Sequence, residues 1–293
     1  MIEYLPHRSI DKEEWDYLVE HADRPNFYDR STILDVASPG WDGLIDRASG
    51  SVMPLCHRKK FLIRYLFQPL GLQYCGSYNN DIKHDQLERF LGAIPHEFRY
   101  WDICTPTGGV PSHVEIEERM NMQLTMDREY EELLKGYSQG HRRNLRGGEE
   151  LEFRPMQIEE FIDAFRKTTA RLHGIGPKDI RTMQEILRVA SQEGRLTILS
   201  LRGSQCAAAF IEWKRTLIFF KSANDDIGRE QNGLFRVVDQ VIKANTRKVD
   251  VIDFAGSDHL NTQRFYKGFG AVGNVYLRVR YNAIPFPFNL LKQ

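Results

Sequence analysis

Four charged side chains interrupt stretches that otherwise read as apolar strands. Asp102 sits in Tyr-Trp-Asp-Ile-Cys, Glu212 in Phe-Ile-Glu-Trp, Lys221 in Ile-Phe-Phe-Lys-Ser-Ala and Asp253 in Val-Ile-Asp-Phe-Ala. A charge taken out of water needs a partner or changes its protonation. Strand alternation sets Lys221 on the face opposite Phe220, and Glu212, on the preceding strand across a Lys-Arg turn, is the partner expected for it. A buried carboxylate has its pKa raised, which makes Glu212 or Asp253 a base able to take a proton from an amine. The plainer reading is a structural ion pair.

Residues 224–233 form a second group. They leave a strand, enter a helix and contain Gly228, Arg229, Gln231, Asn232 and Gly233. Free N–H groups and the helix dipole favour an anion at such a place. An ordinary strand-to-helix turn with a capping Asn has the same sequence signs. The third group is the helix of residues 261–268, with Arg264, Tyr266 and Lys267. Adjacent helical residues point about 100° apart, so Tyr266 and Lys267 cannot face the same way. A basic run, His141-Arg142-Arg143-Asn144-Leu145-Arg146, suits phosphate or RNA, and reads equally as a solvated helix end.

The elements that must position these groups follow from periodicity. Helices are expected over residues 11–23 with Asp11 as the cap, 28–37, 86–94, 161–173 with Phe161, Phe165 and Leu172 inward, 180–193 and 234–242. Strands are expected over 41–45, 52–56, 61–67, 99–104, 196–201, 206–213, 216–223 and 249–255, and again over 275–281, with 114–126 a long strand or a hairpin. Residues 57–60 read as a polar hairpin tip. Asp258 is the expected cap of the 261–268 helix, and Gly268 or Gly270 its stop. The order helix, helix, meander, helix, strand, strand occurs twice, with 100–104 matching 251–255. The division expected is a degenerate N-terminal domain at 1–125 and a C-terminal domain at 126–293. After Cys104 the first half has Thr-Pro-Thr-Gly-Gly-Val-Pro, which cannot form the helix that the second half carries.

Composition narrows the class. Over 293 residues, 41% hydrophobic and 27% charged content describes a globular chain, long enough for two domains. Lys plus Arg and Asp plus Glu number 40 each, which argues against broad electrostatic capture of nucleic acid. Cys56, Cys75, Cys104 and Cys206 are scattered, and the nine histidines never fall at metal-ligand spacing. No metal is expected. Neither a signal-like N-terminus nor a run of about 20 apolar residues is seen, so a cytoplasmic protein with no membrane span is expected.

The C-terminal stretch carries a resemblance. A strand ending Asp-Phe-Ala-Gly, a short helix, and Phe-Tyr-Lys-Gly-Phe-Gly-Ala at 265–271 resemble the C-terminal part of the GNAT acyl-CoA N-acyltransferases. The stretch is still more similar to their Fem-type peptidyltransferase relatives, in which a Phe-Lys pair and a Phe-Gly close the helix. The resemblance implies an α/β (α+β) fold of two tandem GNAT-like domains with mixed sheets and a site in the cleft between them. It further implies an acyl group passing from acyl-CoA to a small-molecule amine acceptor. The loop would then hold the coenzyme A pyrophosphate, Asn232 and Gly233 giving N–H groups. The GNAT pattern is Gln/Arg-x-x-Gly-x-Gly/Ala; here Arg229-Glu230-Gln231-Asn232-Gly233-Leu234 keeps one glycine and puts Leu234 where a small residue is expected. Tyr266 resembles the GNAT tyrosine that protonates a leaving thiolate, and Lys267 matches the Fem-type lysine; the plainer readings are a core tyrosine and a solvated helix end. Asp253 or Glu212 would be the base, with Lys221 and Arg264 on the substrate. The alternatives are a Fem-type enzyme using aminoacyl-tRNA on a cell-wall precursor, and a ligand-binding protein without catalysis. No room exists between Ala170 and Leu196 for the helical hairpin that Fem-type enzymes often carry, which favours the small donor.

Overall fold

A computed structural model describes residues 1–60, 63–79, 85–146, 151–256 and 259–285. In chain order the first half contains β1 (Glu3–Leu5), α1 (Lys12–His21), α2 (Ser31–Ala37), β2 (Asp42–Asp46), β3 (Ser51–Leu55), β4 (His57–Lys60), β5 (Ile63–Phe67), α3 (Gln86–Gly92), β6 (Phe98–Pro106) and β7 (Glu115–Thr125). The second half contains α4 (Tyr130–Lys135), α5 (Gln139–Leu145), β8 (Phe153–Pro155), α6 (Ile158–Phe165), α7 (Pro177–Gln192), β9 (Leu196–Leu201), β10 (Ala207–Trp213), β11 (Thr216–Ala223), α8 (Asp226–Glu230), α9 (Gly233–Asn245), β12 (Val251–Gly256), α10 (Leu260–Lys267) and β13 (Val272–Asn282).

The chain divides into two compact units, residues 1–119 with 275–293 and residues 120–274. A linear cut at residue 125 does not describe them, because the strand that closes each half joins the unit of the other half. In the first unit β1, β2 and β3 form an antiparallel sheet, while β4, β5, β6 and β13 lie side by side. There β5 and β6 run parallel and β13 pairs antiparallel with β6, Arg280 opposite Asp102 and Arg278 opposite Cys104. Leu66, Phe90, Phe98, Trp101 and Val279 form its core. In the second unit the strand order is β7, β12, β11, β10, β9, β8. Again one parallel pair, β11 with β12, is flanked by a long antiparallel strand, β7. Met122, Leu124, Phe210, Phe219, Ile252, Phe254 and Phe269 form its core together with Val237 of α9 and Tyr266 of α10.

Local chemistry explains most element boundaries. Asp11 accepts from the N–H groups of Glu13 and Glu14 at 3.0 and 3.2 Å and starts α1, whose Trp15 and Val19 are buried. Gly270 takes φ +87° and ends the turn after α10. Asp258, the expected cap of that helix, lies outside the described residues. Residues 57–60 are a strand and not a hairpin tip: β4 pairs antiparallel with β5, and as an edge strand it carries polar side chains into solvent.

The helix expected over 161–173 breaks its own period. Arg166–Ala170 is a π-helical segment continuing α6. A π-turn holds an extra residue, so faces after it are rotated against a 3.6-residue pattern. Ala170 therefore turns inward, and Leu172, expected inward, is 76% exposed.

Candidate functional site

β11 and β12 are in register only from Thr216 and Val251 to Ile218 and Asp253, and no pairing follows. On its other side β11 is irregular too. Phe219 lies opposite Phe210 and Lys221 opposite Ala209, so Phe220 is left without a partner and forms a bulge. The sheet thus forks at Asp253. β12 has its own irregularity between Asp253 and Gly256, where Ala255 adopts φ +59°, a conformation costly for a residue with a Cβ.

Asp253 organises this fork. Its carboxylate accepts from Asn121 Nδ2 at 3.0 Å, Gln123 Nε2 at 2.8 Å and the Ala255 N–H at 2.7 Å. The last of these bonds holds the strained turn. All three donors are neutral, and burial outweighs them, raising the pKa of Asp253 above the ordinary carboxylate value. Gln123 is fixed in turn, its Oε1 accepting from Asn274 Nδ2 at 2.7 Å. The Oδ1 of Asn121 is buried and has no hydrogen-bond partner among the described residues.

Tyr266 is buried in α10, its ring stacked on Phe254 at 4.7 Å and edge-on to Phe219 at 5.7 Å. Burial first, and then the charge of Asp253, push its phenol well above its usual value, so it stays protonated. One residue on, Lys267 is exposed, as is Arg264. The 100° step of the helix separates these roles: Tyr266 belongs to the interior and Lys267 to solvent.

Lys221 and Glu212 do not pair. Glu212 is in register with Leu217, hence on the face that carries Leu217 and Ile252; Lys221 is in register with Ala209, on the face of Ile218 and Asp253. Glu212 is exposed and lies on the opposite side of the sheet from Asp253. Lys221 has no carboxylate partner among the described residues, and burial lowers its pKa. Its contact is with the Phe220 ring, 5.6 Å away. Asp102, by contrast, is held in a two-point ion pair by Arg278, at 2.6 and 2.7 Å.

The 224–233 loop is more structured than a bare turn. Asp225 caps α8 by accepting from the Gly228 N–H at 2.8 Å, and also accepts from the Gln205 N–H at 2.9 Å. The N–H groups of Arg229, Gln231 and Asn232 bond to the carbonyls of Asp225, Ile227 and Arg229. Arg229 turns back onto the Asn224 carbonyl and Asp226, and Gln231 is exposed. Asn232 enters α9 in the left-handed conformation, φ 52°, without capping it by its side chain. Amides of α9 available to an anion are therefore those of Gly233, Leu234 and Phe235, since the first intrahelical bond is made by Arg236. Both glycines are required by packing. A Cβ on Gly228 would stand 2.6 Å from Cys206 Cβ, and one on Gly233 3.0 Å from Cys206 Sγ, Gly228 O and Leu201 Cδ2. Cys206 lies under this loop with its thiol pushed up to about 12 by burial, so it is no nucleophile.

His141, from the basic run, is an anchor inside the core. Its ring bonds to the Phe265 carbonyl at 2.8 Å, and a Cβ on Gly268 would overlap the ring. Burial lowers its pKa, and Arg143 and Arg146 are left exposed. No group of three His, Cys, Asp or Glu side chains that could hold a metal is present among the described residues, and no described helix is long and apolar enough to cross a membrane.

Asn121, Gln123 and the strained Ala255 were not singled out by the sequence. The signal was present: Met120-Asn-Met-Gln-Leu alternates, with Met122 and Leu124 in the core and Asn121 and Gln123 on the other face.

Solved structures give this arrangement a context. The chain superposes on FemX with a TM-score of 0.69 at 12% identity, over 99% of this chain and 100% of that one. The fold is the tandem GNAT fold. A tandem GNAT protein from the clavulanic acid biosynthesis pathway matches with a TM-score of 0.54 at 11% identity, over 97% and 99% of the two chains. A conserved protein of unknown function from Bacteroides thetaiotaomicron matches with 0.60 at 10% identity, over 96% and 100%. No protein-family model matches the sequence, and no functionally curated protein is significantly similar to it. At these identities the tandem GNAT likeness is one of architecture.

Proposed function

We propose that this protein transfers an acyl group from an activated carrier to an amine, and that the reaction takes place at the β11–β12 fork. The observation that carries the reading is Asp253: a buried carboxylate at the point where two parallel strands part, hydrogen-bonded only by neutral donors. Such a group is a stronger base than an ordinary carboxylate, suited to the proton that an amine loses on attacking a carbonyl. The tetrahedral adduct collapses with expulsion of the carrier, and the Tyr266 phenol, which stays protonated, is proposed as a hydrogen-bond donor to that leaving group. The bulge at Phe220 interrupts the sheet pairing beside the fork, and its backbone is the proposed place for an N–H to meet the developing oxyanion. Lys221, a half-buried amine on the Asp253 face, favours a carbonyl or anionic group of a substrate there. The free amides of α9 are the proposed seat for the carrier's phosphate.

Acyl-CoA is the first choice of carrier. Aminoacyl-tRNA is the second, and one observation favours it: four of the five loop residues have their N–H groups bonded internally, leaving less of a pyrophosphate cradle than the GNAT pattern provides. The deciding experiment incubates the protein with acetyl-CoA and a panel of primary amines and follows thiol release, beside a melting-temperature series with coenzyme A. Amine-dependent release that Asp253→Asn abolishes, with coenzyme A raising the melting temperature, supports the first carrier. No release and no shift, together with salt-sensitive binding of a tRNA acceptor-stem mimic, supports the second. Neither response in either arm overturns the transferase reading.

A further inference from the structure

The second unit contains another cleft, of about 520 Å³, that the reading above does not use. Ala170, Ile175, Pro177 and Ile180 give it an apolar lining, and Arg166, Arg171 and Arg181 line it as well.

Specific bonds and turns shape the backbone around it. The π-turn at Arg166–Ala170 opens the wall. Its Thr169 hydroxyl donates to the Ser222 carbonyl at 2.8 Å, tying the wall to β11 one residue from Lys221. Gly174 follows at φ +64°, and the Ile175 N–H closes back on the Ala170 carbonyl at 2.9 Å, the bond of a glycine-terminated helix end. Pro177 then starts α7 at its first turn. Arg166 shares its charge with Asp163 at 2.6 Å. Arg171 and Arg181 have no ion-pair partner among the described residues, although most arginines of the chain do. Guanidinium groups left unpaired around an apolar pocket suit a ligand with an apolar body and a carboxylate or phosphate, which Arg binds at two points.

The geometry points to this cleft as the place where the amine acceptor is held by an anionic group, so that the acceptor is an amphipathic anion and not a simple amine. The inference rests on the transferase reading for the word acceptor and on the cleft alone for the binding.

The test is a titration of the full-length protein with phenyl phosphate, benzoate, inorganic phosphate and benzyl alcohol, followed by the ¹H–¹⁵N resonances of the arginine side chains. Phenyl phosphate or benzoate is expected to bind at least ~10-fold more tightly than inorganic phosphate or benzyl alcohol. The Arg171→Gln/Arg181→Gln double variant is expected to weaken that binding by ~10-fold or more, because charged hydrogen bonds are lost from exposed positions that folding does not need. The tighter of the two aromatic anions tells whether the acceptor carries a phosphate or a carboxylate. Equal binding of benzyl alcohol or of inorganic phosphate, or unchanged binding in the double variant, overturns the inference. Binding that persists in Asp253→Asn while no donor is ever consumed leaves the cleft standing and removes only the transferase reading. A working transferase whose KM for its acceptor is unmoved in the double variant overturns the cleft alone.

Discussion

Asp102 and Asp253 occupy matching places in the two units, and their carboxylates meet opposite kinds of partner. Each follows a parallel pairing to its neighbour, β5 for one and β11 for the other, and each is flanked by a long antiparallel strand. In the first unit that strand places Arg280 opposite Asp102 and Arg278 two residues away, and Arg278 grips the carboxylate with both ends of its fork. In the second unit the flanking strand places Gln123 opposite Asp253, with Asn121 two residues away. Cations in one copy are replaced by neutral amides in the other. Although burial opposes it, the guanidinium beside Asp102 holds that carboxyl below its ordinary value, while burial of Asp253 among amides raises it. The same scaffold thus makes a structural carboxylate in one place and, in the other, the carboxylate proposed as the base. The difference lies in the partners and the burial of the carboxylate.

The most damaging change to this contrast is Asp253→Asn, which keeps the size of the side chain and removes the base. Acyl transfer should fall by ~100-fold or more, with the fold intact by circular dichroism. Gln123→Arg makes the second unit imitate the first. The new cation should lower the pKa of Asp253, shift the acid limb of the pH–rate profile downward by about one unit and weaken the base, lowering the plateau rate by ~10-fold. A profile that does not move would show that Asp253 is not the group being titrated.

In the first unit, Arg278→Met should cost about 1–2 kcal/mol in urea unfolding at neutral pH, since it leaves Asp102 half-buried and unpaired. The sign follows from the lowered pKa: the pair stabilises above the ordinary carboxylate range, and this contribution is lost as pH falls through the folded-state value. Wild type and variant should therefore converge in acid. Asp253 acts in the opposite direction. Its raised pKa means that the folded state loses stability as pH rises past the ordinary carboxylate value, until the folded-state value is passed. The smallest effect belongs to Glu212→Gln. An exposed carboxylate on the opposite face should leave transfer within about twofold of wild type, and a larger loss would return Glu212 to the mechanism.

Much of this was legible in the sequence because strands and helices here obey their periods. The repeated order of elements, the match of 100–104 with 251–255 and the helix carrying Tyr266 all follow from alternation, caps and glycines. Three things were not legible. The bulge at Phe220 changes which residue Lys221 faces, and a period-two count has no means of placing it, so the Lys221–Glu212 pair was expected where none forms. The π-turn at 166–170 shifts the helical period, which turned Leu172 outward and opened the arginine-lined cleft. The tight seat of Gly228 and Gly233 over Cys206 joins residues distant in sequence, so the packing requirement on these glycines could not be seen beside their expected role at a phosphate. The strand residues Asn121 and Gln123 were visible as a polar alternation, but nothing local told that their partner lies 132 and 130 positions away.

The contrast between the two carboxylates can be measured without knowing any substrate. Carboxyl ¹³C resonances of aspartate-labelled protein, assigned with Asp253→Asn and Asp102→Asn, give both titrations in one experiment. The account predicts that Asp253 titrates above the ordinary aspartate value of about 3.9 and Asp102 below it. Asp253 titrating at or below that value would contradict the account, because a carboxylate already stabilised in its charged form would not be the base on which the proposed transfer depends.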